Sequence, residues 1–151
     1  MLRWFFTFWL VSLNAYAIDE ERVIAAMTRS GGLKAEEIRA HYKDGCASGA
    51  RLPMLICSSY AFTSADLELN DEYNRLLRQL TTKAARGKLI QAQRAWVAFR
   101  DKTCDYESDG YSIGRDEQTV IESCRARVTQ ERIKTITEYL ACQTPGCPGE
   151  W

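Results

Sequence analysis

The chain has 151 residues, with 20 basic and 20 acidic side chains, and its formal net charge at neutral pH is zero. A chain of this length is typical of one domain around one hydrophobic core. The balance of charge argues against the dense basic surface that nucleic-acid phosphates require, so nucleic acid is not an expected partner.

Residues 1–17 have the layout of a secretory signal peptide. Arg3 precedes an apolar run over residues 4–13, and Ala15 and Ala17 follow in small-x-small order. The run has about ten residues, whereas a helix that spans a bilayer needs about 20. We therefore expect cleavage after Ala17 and a periplasmic or secreted protein with no membrane anchor.

All six cysteines lie beyond this segment, which is typical of a protein that forms three disulfides in an oxidising compartment. The sequence leaves many connectivities open. We favour the nearest-neighbour pairing, which joins Cys46 to Cys57, Cys104 to Cys124 and Cys142 to Cys147. Zinc is the alternative, but the chain has no C-x2-C pair and its histidine, His41, is isolated. No metal site is predicted.

Residues 18–45 are predicted to form two short helices. Asp19 is a suitable N-cap for the first helix. Gly31 and Gly32 interrupt the apolar pattern before the second helix, and Gly45 suits the end of that helix.

The connector 46–60 contains Gly49 and Pro53 and has no sustained period, so we expect a tight, disulfide-closed loop there. The strongest helical pattern follows it. An apolar stripe at helical spacing consists of Leu69, Tyr73, Leu76, Leu77 and Leu80. Thr63 with Asp66 resembles a capping box at its start, and the helix should end before Gly87. Asp71 and Arg75 are spaced for an ion pair along this helix.

Two more long helices complete the pattern. The first carries Leu89, Ala92, Trp96 and Phe99 on one predicted buried face and Cys104 near its end. The second starts near Asp116 and has a predicted buried side of Ile121, Cys124, Val128, Ile133, Ile136 and Leu140. A short polar turn with Gly110 and Gly114 joins them, so they should pack antiparallel and bring Cys104 to Cys124.

The predicted fold is all-α, a small helical bundle built on an antiparallel helical hairpin and stapled by disulfides. Residues 18–45 form the N-terminal helices and residues 46–141 the main helical domain. Residues 142–151, with their own cysteine pair and several Pro and Gly residues, are expected to form an irregular tail.

A series of motifs in this domain resembles a known family. The residues are Cys57, Ala65–Asn70, Tyr73, Leu76, Gln93–Trp96, Phe99–Asp101, Cys104, Gly110, Ser112, Cys124, Thr129 and Arg132. Their order is similar to the LprI-like lysozyme-inhibitor N-terminal domain. The resemblance implies a helical, exported, cysteine-linked domain that binds lysozyme. The chain departs from the family's namesake type in two ways, because it has no lipoprotein cysteine after the signal peptide and it adds the Cys142 and Cys147 tail.

Several motif residues are candidate site residues, namely Asp66, Leu69, Asn70, Tyr73, Gln93, Arg94, Trp96, Phe99, Arg100 and Asp101. They could form a recognition face, or they could pair with Glu72, Thr129 or Arg132 and fix the packing of the helices. Polar groups embedded among core aromatics must be hydrogen-bonded, and this requirement favours the packing interpretation.

The connector 105–117 is the most unusual surface segment, with five acidic residues against one arginine and two tyrosines between them. The candidate binding loop within it consists of Asp105, Tyr106, Glu107, Asp109, Gly110, Tyr111 and Ser112. An acidic, aromatic loop suits a basic lysozyme and its cleft. A solvated turn before a helix is the simpler interpretation. The segment also partly imitates a calcium loop, but Glu107 and Asp116 are the wrong residue types for their positions.

No catalytic residue or cofactor is predicted, because His41 belongs to no recognisable catalytic motif and bridged cysteines supply no nucleophile. We expect an exported binding protein that inhibits lysozyme or a related peptidoglycan hydrolase. The alternative is a non-enzymatic structural, stress or immunity protein of the envelope that binds another protein partner.

Overall fold

A computed structural model describes residues 18–111, 116–143 and 145–149. The predicted signal peptide, Ser112 and Gly114 lie outside the described residues. The described elements are α1 (Glu20–Gly31), α2 (Ala35–Gly45), α3 (Arg51–Gln79), α4 (Lys83–Ser108), a 3-10 turn (Asp109–Tyr111) and α5 (Glu117–Ala141). No helix in these ranges is both long enough and apolar enough to span a membrane. The predicted all-α, disulfide-stapled bundle is confirmed.

The ends of α1 follow the predicted signals. The carboxylate of Asp19 accepts a hydrogen bond from the backbone N–H of Glu21 at 3.3 Å and so satisfies a donor that the helix leaves free. Gly32 follows α1 in the left-handed conformation, with φ of 69°, which only glycine adopts at little cost. α2 ends at Gly45, and Asp116 precedes α5, both as predicted.

The predicted start of α3 is wrong. The helix begins at Arg51, so Thr63 lies inside it and the connector shrinks to residues 46–50. Pro53 is compatible with this because it occupies the first turn, where its missing N–H removes no intrahelical hydrogen bond. α3 ends at Gln79, before Gly87 as predicted, and Gly87 itself lies within α4.

α1 and α2 pack on the first half of α3 around an apolar cluster of Val23, Ile24, Met27, Ile38 and Ile56. The second half of α3 packs on α5 around Ala65, Leu69, Leu76, Ile133 and Ile136. α5 has its most extensive contacts with α3 and its next most extensive with α4. The predicted α4–α5 hairpin is therefore present, but the main interface of the bundle is between α3 and α5.

The buried face of α4 differs from the predicted one. Ala85, Arg100 and Cys104 are buried, whereas Ala92 is exposed and Phe99 is 60% exposed. Successive residues of an α-helix are separated by about 100°, so the side of α4 that carries Arg100 cannot also bury Phe99.

All three disulfides join nearest neighbours along the chain, as predicted. The Cys104–Cys124 bond links the end of α4 to the early part of α5, with a Cα–Cα distance of 5.5 Å. In the tail, Cys147 is buried at 3% exposure, and Gly149 lies so close to Leu80 that an added Cβ would approach its side chain to 2.2 Å. The described part of the tail thus packs against the end of α3.

Candidate functional site

Arg100 is the centre of a polar network between α3 and α4. It is 7% exposed, and its guanidinium donates to Asp66 Oδ1 at 3.1 Å and to Asp101 Oδ1 at 3.0 Å. The same group lies 5.0 Å from the ring centre of Phe62 and 5.3 Å from that of Trp96. Carboxylates and aromatic faces together compensate for the desolvation of this buried cation.

Two arginines of α5 extend the network to the third helix. Arg125 Nε lies 3.4 Å from Asp101 Oδ1. Arg132 Nε donates to Gln93 Oε1 at 3.1 Å, and its guanidinium lies 5.8 Å from the ring centre of Trp96. Burial lowers the pKa of Arg132 from its ordinary value. The family-motif residues thus tie α3, α4 and α5 together.

These contacts are the ones that the packing interpretation requires, with two exceptions. Gln93 pairs with Arg132, but Glu72 pairs with Arg75 at 2.7 Å instead of joining the network. Thr129 is fully buried, and its hydroxyl has no hydrogen-bond partner among the described residues. The predicted pair between Asp71 and Arg75 is also wrong, since Arg75 binds Glu72.

The other motif residues divide into two groups. Leu69 is buried, whereas Asn70 is exposed and donates to Asp66 Oδ2 at 3.2 Å along α3. Burial raises the pKa of Tyr73. Arg94 and Phe99 instead face solvent. The structure therefore brings together most of the motif but leaves these two residues on the outer side of α4.

Residues 105–111, which we call the acidic aromatic segment, are not an open loop. Residues 105–108 form the last turn of α4, and residues 109–111 form the 3-10 turn. Tyr106 is 83% exposed and Tyr111 is 53% exposed. Ser108 between them is buried, and its hydroxyl donates to the carbonyl of Asp105 at 2.9 Å. A helical turn thus presents the two tyrosines on a defined backbone.

The charges of this segment are partly neutralised. Glu107 accepts a hydrogen bond from Arg127 of α5 at 2.7 Å, whereas the carboxylate of Asp105 has no ion-pair partner among the described residues. The calcium-loop alternative conflicts with this arrangement, because Asp105 lies in a helix and Glu107 is held by a cation. In the described part of the chain, no group of three or more His, Cys, Asp and Glu residues is arranged to hold a metal ion.

An apolar groove of about 290 Å³ lies near the other end of α4. Its walls include Leu76, Leu80, Ala85, Leu89, Ala92 and Tyr139, and Lys88 stands among them. Pro148 and Gly149 of the tail also line it. Sequence reasoning did not find this groove, because its walls come from three helices and the tail, and no single stretch of sequence contains its pattern.

A comparison with known protein families matches the region that holds these features. The model of a family described as lysozyme inhibitor LprI matches residues 44–136. An uncharacterized protein of Rhizobium meliloti (strain 1021) is 27% identical over 103 residues, which cover 60% of this chain and 74% of that protein. No solved structure matches the chain. The polar network and the acidic aromatic segment both lie within the range of the family match.

Proposed function

Because the chain belongs to the LprI lysozyme-inhibitor family, we propose that it is an exported, non-enzymatic protein that binds and inhibits lysozyme or a related peptidoglycan hydrolase. The family match, over residues 44–136, is the observation that carries this proposal. Export is supported by the signal-peptide pattern of residues 1–17 and by three disulfides, which form and persist in oxidising compartments. Their six sulfur atoms are bridged and supply no thiolate nucleophile.

The acidic aromatic segment is the surface that we propose for the hydrolase. Exposed tyrosines are the kind of side chain that contributes most to protein interfaces, and Tyr106 and Tyr111 project from a hydrogen-bonded turn. Asp105 and Asp109 add negative charge beside them. A basic hydrolase would be steered to such a surface, and its carboxylate-bearing cleft would be covered by the aromatic side chains.

The polar network has a different role in this proposal. Arg100 and its partners hold α3, α4 and α5 in register, and the register fixes the direction in which the end of α4 projects. We therefore expect the network residues to act through the fold and the residues of the acidic aromatic segment to act by contact.

The test is the lysis of a peptidoglycan suspension by several purified lysozymes, with the oxidised mature protein titrated in. We expect lysis to fall and the inhibition to saturate near one protein per enzyme. Asp105→Lys combined with Tyr106→Ala should weaken inhibition by about tenfold or more and reduce its dependence on salt. Glu138→Lys, which changes the charge of an exposed residue on α5, is the control and should inhibit like the parent protein.

Three results would contradict the proposal or part of it. Unchanged lysis by every hydrolase at excess protein would remove the inhibitory function. Binding without loss of lysis would favour the alternative of an envelope protein with another role. Inhibition that the double variant retains in full would keep the function but move the contact surface away from the acidic aromatic segment.

A further inference from the structure

We propose that two copies of this chain pair antiparallel through the outer face of α4, around a two-fold axis at Phe99. This self-association goes beyond the proposed inhibition and does not depend on it. Three separate observations lead to it, namely an exposed apolar seam, the position of the apolar groove and the distribution of charge along α4.

The seam consists of Ala92, Ala95, Phe99, Lys102 and Tyr106, at relative positions i, i+3, i+7, i+10 and i+14. This heptad spacing keeps the residues on one side of a helix, as in helices that pair along their length. All five are exposed. Phe99 at 60% exposure and Tyr106 at 83% are large apolar side chains in water, on a helix whose opposite side is packed in the bundle.

The apolar groove lies where a second copy of Tyr106 would arrive. Ala92 and Tyr106 are each seven residues from Phe99, which corresponds to about 10 Å along the axis of a helix. A two-fold axis at Phe99 therefore sets Tyr106 of one copy opposite Ala92 of the other. Ala92 and Leu89 line the groove of about 290 Å³. Two-fold symmetry repeats this pairing of a large aromatic side chain with an apolar groove on both sides of the axis.

The charges along α4 also complement those of a second α4 that runs antiparallel to it. Residues 83–99 contain Lys83, Arg86, Lys88 and Arg94 and no acid, whereas residues 100–111 contain four acids and two bases. The first turn of α4 has no acidic residue and its last turn no basic one, so the helix makes no use of the charges that favour its own macrodipole.

Ion pairs within the chain involve only some of the charged residues of α4. Arg100, Asp101 and Glu107 have ion-pair partners in the bundle. Lys88, Arg94 and Asp105 form no ion pair with any residue that the structure describes. An antiparallel copy lays the basic half of one α4 along the acidic half of the other, so the surface that best complements this helix is the same helix.

The first test is the mass of the oxidised mature protein by analytical ultracentrifugation, from micromolar to millimolar concentration. We expect it to rise from one chain towards two. Phe99→Glu places two like charges at the axis and should weaken the dimer by at least about tenfold. Leu52→Glu, at an apolar residue of α3 that is 47% exposed, is the control and should leave the dimer intact. Circular dichroism of each variant checks that the helices are unchanged.

The second test uses a mixture of two charge variants. Lys83→Glu, Lys88→Glu and Arg94→Glu together make both halves of α4 acidic, and Asp105→Lys with Asp109→Lys makes the second half basic like the first. Each variant alone should stay monomeric because like charges meet, and an equal mixture should form a dimer with one chain of each.

A parent protein that stays monomeric at millimolar concentration, a Phe99→Glu variant that dimerises like the parent, or a mixture that does not associate would each overturn the proposal. These outcomes are distinguishable from failure of the inhibition, because mass is measured without hydrolase. Tyr106 belongs to both the seam and the acidic aromatic segment, so the dimer and the hydrolase complex exclude one another. Phe99→Glu should therefore inhibit at least as well as the parent protein.

Discussion

α1 and α2 are held against α3 by an apolar cluster, whereas the middle of α4 is held against its neighbours by a buried arginine. In the N-terminal region, Val23, Ile24 and Ile38 are at most 1% exposed. In α4 the corresponding inward position is occupied by Arg100, whose partners are two carboxylates and two aromatic rings. The first arrangement gains stability from any side chain of suitable volume, and the second from one side chain of a particular shape.

The family match covers the second of these two regions and almost none of the first. The family match begins at residue 44, so α1 and almost all of α2 precede it, whereas the whole Arg100 network lies inside it. The motif residues that identify the family are thus largely the ones that join α3, α4 and α5. The motif residues of a family can serve to pack its helices together, and the surface that contacts a partner can be formed by other residues.

The largest effect should come from the apolar cluster. Ile24→Ala removes buried methyl and methylene groups from a position that is 1% exposed, and we expect a loss of about 3 kcal/mol in the free energy of unfolding. Leu52→Ala, at 47% exposure, is the matched control and should cost less than about 0.5 kcal/mol. Urea denaturation of both variants measures the difference. A loss at Ile24 as small as the loss at Leu52 would mean that α1 contributes little to the stability of the fold.

Disrupting the Arg100 network should cost less stability, but the network should tolerate fewer substitutions. Arg100→Lys keeps the charge but cannot donate to Asp66 and Asp101 at once while covering two rings, so we expect a loss of about 2 kcal/mol. Arg94→Lys, on the exposed side of α4, should be neutral within about 0.5 kcal/mol. If Arg100→Lys were as stable as the parent in urea, the shape of the guanidinium would not matter and the contrast between the two regions would disappear.

The smallest effect concerns the ion pair that links α1 to α3. Arg22 donates to Asp71 at 2.9 Å, and this hydrogen bond lowers the pKa of the Asp71 carboxyl. A lowered folded-state pKa gives stability that is present above the ordinary pKa of aspartate and is lost as pH falls through the folded-state value. Both side chains are nearly half exposed, so Asp71→Asn should cost less than about 1 kcal/mol at pH 7, and the cost should shrink as the pH falls below the ordinary pKa of aspartate.

Thermal unfolding across this pH range checks the sign. Arg22→Gln should give the same loss at pH 7, and the double variant should lose no more than either single variant. A difference that persists unchanged at low pH would show that Asp71 acts by packing instead of by charge.

Much of the fold could be predicted because its signals are local. The Asp19 cap, the Gly32 end of α1, the apolar stripe of α5 and three disulfides between neighbouring cysteines all depend on residues close together in sequence. The predicted start of α3 is too late because Pro53 and Gly49 are typical of a loop. Proline disrupts a helix only beyond its first turn, so the same residue is compatible with a helix that begins at Arg51.

The candidate site could be predicted only in part, for a related reason. The sequence marked the residues of the acidic aromatic segment but not their helical conformation or the neutralisation of Glu107 by Arg127, which is 20 positions away. It marked Arg100 and Asp66 as motif residues but not as partners, since 34 positions separate them.

The sequence by itself determined the number of long helices and the family, and it favoured the cysteine pairing that the structure has, because each depends on patterns within a few turns or on short chain separations. Only the tertiary structure decided which side of α4 is buried. Leu89 with Trp96 and Ala92 with Phe99 offer two overlapping apolar faces, and local periodicity does not choose between them. The partners of Arg100 on α3 and α4 turn one face inward, and Phe99 is left on the other.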